Sequence, residues 1–209
     1  MKARIVVAII MVTLAAHTAW CAETPIRFDF EKDTQGWMIP DWALYQNDVV
    51  GESVSISSEH FSSGKSSLAL KCAFPGDSWA AAIVEYQEDL KINLEGYKSI
   101  SVDIYLPEDA PSGEMAAKII LTIDKTDQWI ESRDVVRLNI GKWVTVKVPL
   151  DMSEKGEMWA WKCNKGEECV IGNLSEIKKI AVRIEYDVST AKSGPPYNGA
   201  VYIDNVVIE

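Results

Sequence analysis

VYIDNVVIE, Val201–Glu209, closes the chain with an alternating apolar run that carries an Asp-Asn pair in its middle. Simple alternation sets Asp204 in one row with Tyr202, Val206 and Ile208, and Asn205 in the opposite row with Val201, Ile203 and Val207. Either way a strongly polar group stands among apolar neighbours. A carboxylate in that position is costly unless something offsets its charge.

The same period-two pattern recurs upstream, in IRFDFE, SVSIS, SSLALKCAF, KSISVDIYLP, AAKIILTID, VVRLNI, WVTVKVPL and KKIAVRIEYD. ALYQND and AAIVEYQED are weaker candidates. Val, Ile, Thr and aromatics fill these runs, and SSGK, PGDS, PEDAPSGE, NIGK and KSGPPYNG break them with turn residues. NLSEIKK, Asn173 to Lys179, has a capping pattern and predicts one or two helical turns. About nine to eleven short strands without a linker or repeat predict one all-β domain, an antiparallel β-sandwich of the jelly-roll type.

The first residues read as an export signal. Lys2 and Arg4 precede the apolar run Ile5 to Ala16, which is short for a bilayer span and suits a signal core. Ala19 favours a cut after Cys21 over one after Ala22, which would put Trp20 at minus three. A lipoprotein cut before Cys21 is the weaker alternative. The expected division is a signal over 1–21 and a single domain over 24–209. The product would be exported, periplasmic or secreted.

Of 209 residues, 21 are basic and 31 acidic. Without Lys2 and Arg4 the balance is 19 against 31, a formal charge of −12. Nucleic acid and anionic membranes call for a basic face, so this balance argues against both as partners. A neutral ligand and a bound cation are compatible with it. Cys163 and Cys169 bracket NKGEE, and a small loop-closing disulfide between them is the simplest pairing. Cys72 lies on the row of Leu68, Leu70 and Phe74 and reads as a buried thiol. With no CxxC pair, and His60 the only histidine beyond the signal, zinc chemistry is not indicated.

The first strand raises the acid problem again. In IRFDFEKD, Arg27, Asp29 and Glu31 oppose Ile26, Phe28 and Phe30. If the two chain ends pair, Asp29 or Glu31 approaches Asp204, and like charges repel more strongly when buried. A calcium ion relieves this, since it takes six to eight oxygens and favours carboxylates. Carbonyls of the turn SSGKS, Ser62 to Ser66, would supply the remainder. The alternative is that Asp204 accepts hydrogen bonds from nearby backbone or from Arg27.

FDFEKDTQGW, FSSGKSSLAL, INLEGYKSISVDIYLP, WVTVKVPL and VYIDNVVIE occur in that order over nearly the whole chain. This succession resembles the galactose-binding-like jelly rolls that serve as carbohydrate-binding modules beside bacterial polysaccharide hydrolases. The resemblance implies a structural Ca2+ tying the first strand, the GK turn and the last strand. Glu31 and Asp204 would be side-chain ligands, Ser63 and Lys65 carbonyl ligands, and Asp29 and Asp33 substitutes. It also implies a polysaccharide or oligosaccharide as ligand. Because such modules normally ride on a hydrolase, a separate glycan-degrading enzyme is the implied partner.

Sugars are gripped by aromatic faces and by planar polar groups that bond hydroxyls. Seven tryptophans follow the signal. Trp37 and Trp143 read as packing residues; Trp42, Trp79, Trp129, Trp159 and Trp161 sit among polar or loop residues, with Trp79 and Trp129 the preferred platforms. Strand alternation turns Asp103 and Tyr105 outward, and likewise Arg183, Glu185 and Asp187, with Lys118, Thr122 and Asp124 on a third row. Were these rows to line one concave sheet, they would make a groove suited to hydroxyls; otherwise they are a solvated face.

For catalysis the signs are weak. A glycosidase needs paired carboxylates. Glu185-Tyr186-Asp187 begins an ExDxxE pattern, but Thr190 stands at the third acid's place. No G-x-S-x-G elbow or Ser-His pairing is legible. No catalytic residue is assigned. The expected function is non-catalytic binding of a neutral glycan of the β-glucan, mannan or xylan type. A small β-sandwich glycosidase or lyase, or a protein-interaction domain on the same fold, are the alternatives.

Overall fold

A computed structural model describes residues 24–111, 115–123, 128–133, 135–150, 159–162, 174–186 and 195–209. Its strands are β1 Ile26–Phe28, β2 Trp37–Met38, β3 Gly51–Ser57, β4 Ser67–Phe74, β5 Ala80–Ile92, β6 Ser99–Tyr105 and β7 Met115–Ile123. They continue as β8 Gln128–Ser132, β9 Val136–Arg137, β10 Trp143–Pro149, β11 Trp159–Lys162, β12 Ile177–Tyr186 and β13 Tyr197–Ile208. Among the described residues the only helices are two 3-10 turns, Asp41–Tyr45 and Leu174–Glu176. None is long and apolar enough to cross a membrane.

The strands form two antiparallel sheets, as the alternation predicts. One has the order β10-β6-β13-β4-β3, with β1 also on β13; the other runs β11-β8-β7-β12-β5-β2, with β9 on β7. Leu68, Leu70, Ile100, Val102, Ile104, Val201 and Ile203 face the core from the first sheet. Val84, Ile119, Leu121, Ile180, Val182, Ile184 and Tyr186 meet them from the second. Trp37 is sealed between Phe28, Phe30 and Tyr86, with ring centroids 5.5 to 6.2 Å away.

Three local expectations are corrected. ALYQND is no strand, because Pro40 sits at the N-cap of a 3-10 turn that takes up Ala43, Leu44 and Tyr45. VVRLNI is reduced to the two-residue β9. In NLSEIKK the 3-10 turn stops at Glu176, and Ile177 starts β12, since its buried side chain is needed in the core.

A fourth correction concerns the last strand. Asn205 takes a left-handed φ of 50°, and the pairing of β13 with β6 slips between Asp204 and Val207. This bulge inverts the rows beyond it. Val206 and Ile208 therefore join Val201 and Ile203 in the core. Asp204 stays on the outer side with Tyr202. The strand satisfies both demands: its end is packed, and its carboxylate is kept out of the apolar core.

Candidate functional site

The outer side of the first sheet is covered by the turn that links β3 to β4. Asp204 is fully buried there. Its Oδ2 accepts the N–H groups of Ser62 at 2.8 Å and Ser63 at 3.0 Å, and its Oδ1 accepts that of Asn205 at 2.7 Å. Glu31 reaches the same turn from the other end of the chain. Its Oε1 accepts N–H groups of Lys65 at 2.8 Å and Ser66 at 3.2 Å. A Cβ on Gly64 would lie 2.0 Å from that oxygen, so the carboxylate rests directly on the glycine, which has a φ of +65°.

Hard-oxygen chemistry here fits calcium in kind: two carboxylates meet one turn, and burial pushes the Asp204 carboxyl above its usual range. Among the described residues no group of three or more His, Cys, Asp or Glu is set to hold a metal. Carbonyls or water would have to complete the shell. The groups that Ser63 and Lys65 direct at the acids are amide N–H, as in the backbone-bonded alternative for Asp204.

Asp103 and Tyr105 lie under this same turn. Asp103 is bonded by Ser62 Oγ at 2.8 Å, Thr145 Oγ1 at 2.6 Å and Asn205 Nδ2 at 3.2 Å. Tyr105 stacks on His60 at 4.3 Å and touches Trp143 and Tyr202. Both are occupied in holding the turn down. They belong to the first sheet, whereas Arg183 and Glu185 are on β12 of the second. The expected common groove is thus corrected: alternation tells which residues share a side of a strand, not which sheet that strand joins. Asp187, Cys163 and Cys169 lie outside the described residues.

The second sheet's outer side has a different character. Its rows follow from register: Ile83-Arg183-Lys118 in one, and Glu85-Ala181-Ile120-Glu131 in the next. Arg183 is 8% exposed and Glu131 4%. Their bond is bidentate, Nη1 to Oε1 at 3.0 Å and Nη2 to Oε2 at 2.9 Å. Arg183 Nη2 also pairs with Glu185 at 2.9 Å, Lys118 approaches Glu131 at 3.5 Å, and Lys179 holds Glu85 at 2.6 Å. Among the described residues, Arg183 Nε is buried with no hydrogen-bond partner.

Aromatics gather beside these charges. Trp129, expected on a loop, belongs to β8. It packs on the small apolar cluster of Ile83, Ile120 and Ala181, and its Nε1 donates to Glu131 Oε1 at 2.9 Å. Trp42 meets it edge to face, with centroids 5.8 Å apart at 71°. The segment bearing Trp42 turns back through Val49, which packs on the same cluster. Bonds of 2.9 Å from Ala81 N–H to Asp48 and 2.7 Å from Val50 N–H to Ala81 fasten it to β5.

Trp42 is 37% exposed, Tyr45 84% and Trp79 41%. Trp79 is not beside Trp129. It precedes β5, while Trp129 is level through Thr122 and Lys179 with Gln87. Eight residues of strand separate them, roughly 26 Å. Trp42, a loop candidate outside the preferred pair, takes the place beside Trp129 expected of Trp79, because nothing in IPDWALY tells that its turn folds across a sheet. Trp159 and Trp161 are register partners of Ser132 and Ile130 on β8.

No protein-family model matches the chain, and no curated protein matches it in sequence. Its backbone does match solved structures, and they define a class: jelly-roll carbohydrate-binding modules. One is CBM27-1 of Caldicellulosiruptor saccharolyticus, solved with mannohexaose; it is 16% identical with a TM-score of 0.59, over 90% of this chain and 97% of that one. Another is the family 11 module of the cellulosomal cellulase Lic26A-Cel5E of Clostridium thermocellum. It is 12% identical with a TM-score of 0.51, over 88% and 94%. A third is CBM28, a module specific for non-crystalline cellulose, 17% identical with a TM-score of 0.50 over 87% and 92%. At these identities the likeness is one of fold.

Proposed function

We propose that this protein is a non-catalytic module that binds a neutral polysaccharide or oligosaccharide of the mannan, xylan or β-glucan type. The contact surface is the outer side of the second sheet, with Trp42 and Trp129 as its aromatic centre and Trp79 at its far end. One observation carries the reading. Glu85, Glu131 and Glu185 are matched by Lys179, Arg183 and Lys118, beside the exposed Trp42 and the half-buried Trp129. Such a floor has no surplus charge for an acidic or basic sugar, while the rings offer apolar faces to the C–H groups of a neutral one. The modules described above supply the precedent of fold.

The same pairing supports a binder over a glycosidase. Glu131 and Glu185 both close on one guanidinium and are buried, whereas a hydrolase needs two carboxylates open to the glycosidic bond. A Ca2+ ion held by Glu31 and Asp204, with the carbonyls of Ser63 and Lys65, is part of the proposal, as is export to the periplasm or beyond. A separate glycan-degrading enzyme would act on the bound polymer.

Native gel electrophoresis with soluble mannan, xylan and mixed-linkage glucan tests the reading. Retardation by at least one of them, without release of reducing sugar, is the expected result. Release of sugar would establish an enzyme. No retardation by any of the three, together with a protein recovered by pull-down, would move the reading to an interaction domain.

A further inference from the structure

We infer that Glu131 is a positioning residue for the ring of Trp129 rather than a group that touches ligand; the inference rests on the glycan reading above. Both carboxylate oxygens are already engaged. Oε1 receives Trp129 Nε1 at 2.9 Å and Arg183 Nη1 at 3.0 Å. Oε2 receives Arg183 Nη2 at 2.9 Å, with Lys118 Nζ at 3.5 Å. A buried acceptor served by this many donors has little left for a sugar hydroxyl.

The bond to Trp129 spans only two positions on one strand, and both side chains lie on the outer side of β8. It fixes the turn of the indole about its own axis. Trp42 then abuts the ring edge to face, and the Ile83-Ile120-Ala181 cluster supports it from below. Arg183 is in turn anchored by Glu185 at 2.9 Å. A chain of contacts therefore runs Glu185-Arg183-Glu131-Trp129-Trp42, and its last two members are the platform. A ring held in its binding orientation before ligand arrives loses less freedom on binding. The indole N–H is also taken, so ligand meets this residue through its ring alone.

Fluorotryptophan-labelled protein tests this, with the Trp129 fluorine resonance assigned by Trp129→Phe. Glu131→Gln turns one oxygen into a donor facing Arg183, while Glu131→Asp keeps the charge and withdraws it from the indole. In either variant the Trp129 line is expected to shift or broaden. Affinity for whichever of mannohexaose, xylohexaose or a mixed-linkage glucan tetrasaccharide binds the wild type should fall about tenfold. Lys147→Ala, on the first sheet and paired with Glu209, should leave the line and the affinity near wild type. Should Glu131→Gln fail to fold, Glu131→Asp alone decides. An unmoved Trp129 line with wild-type affinity in a folded Glu131 variant overturns the inference. Failure of the wild type to bind any of the three sugars overturns the glycan reading instead, and the fluorine line then still reports whether Glu131 holds the ring.

Discussion

Asp103 and Asp204 are register partners across β6 and β13, and the Ser62 hydroxyl stands between them. It lies 2.8 Å from Asp103 Oδ2 and 3.1 Å from Asp204 Oδ2. A hydroxyl has one proton, so it donates to one carboxylate at a time. Asp103 is the shorter contact, and Asp204 is served by three backbone N–H groups. The turn thus separates two like charges that strand pairing forces together.

Replacing Asp204 should change how stability depends on pH. Burial lifts its folded carboxyl above the ordinary aspartate value, against the lowering effect of the Ser63, Ser62 and Asn205 bonds. The native state therefore holds this proton more tightly than the unfolded chain. Its contribution is fully present below about 3.8 and is lost as pH rises through the folded value. In chelator, Asp204→Asn should remove that component of the melting profile. Equal profiles for the two proteins would show that Asp204 does not titrate this way.

Calcium should reverse the cost of ionising Asp204. At a hundredfold excess over its dissociation constant a ligand adds about 2.7 kcal/mol, or roughly 5–10 °C in a domain of this size. Chelator-treated protein is expected to regain that shift on adding calcium. Glu31→Gln and Asp204→Asn should abolish it. An identical melting temperature with and without calcium removes the ion from the proposal.

Gly64→Ala should be among the most damaging single-methyl additions in the chain. Its left-handed backbone disfavours a side chain, and the new carbon would sit 2.0 Å from Glu31 Oε1. A loss of roughly 1–3 kcal/mol is expected in urea unfolding. Gly51→Ala, where the nearest atom is a flexible methyl of Ile39 at 3.3 Å, should be much milder.

Trp42→Ala and Trp129→Ala should each weaken glycan binding about tenfold or more, as loss of a central aromatic anchor does. Trp79→Ala, at the far end of the sheet, should cost under about threefold with short oligosaccharides and more with polymer. Titration calorimetry with ligands of increasing length separates the two patterns. Equal losses on the shortest ligand would mean that the three rings form one patch.

Cys72 should resist modification in the folded protein. Burial, then the nearby Glu52 charge, pushes its thiol up to about 12, leaving almost no thiolate at pH 8. Mass spectrometry of the Cys72 peptide after alkylation is expected to show label only once denaturant is added.

Alternation made the two sheets legible, since packing demands a period of two and little else. The bulge at Asn205 was not, because a left-handed asparagine looks like any other until its partner strand is in place. Alternation sets Arg183 and Glu185 on one side of their strand, but it does not separate them from Asp103 and Tyr105, which stand on the other sheet. Sheet membership depends on pairings between residues far apart in the chain, and one strand's pattern holds no record of them. Trp42 does not stand out from the other loop tryptophans for a similar reason: its neighbour Trp129 lies 87 positions away.

The placement of β13 has a consequence for the rate of folding. This strand is flanked by β4 and β6 and also carries β1, so three elements from distant parts of the sequence close on one segment. The first sheet is complete only when these contacts of large sequence separation form, and its closure is expected to be slow beside that of a sheet built from neighbouring hairpins.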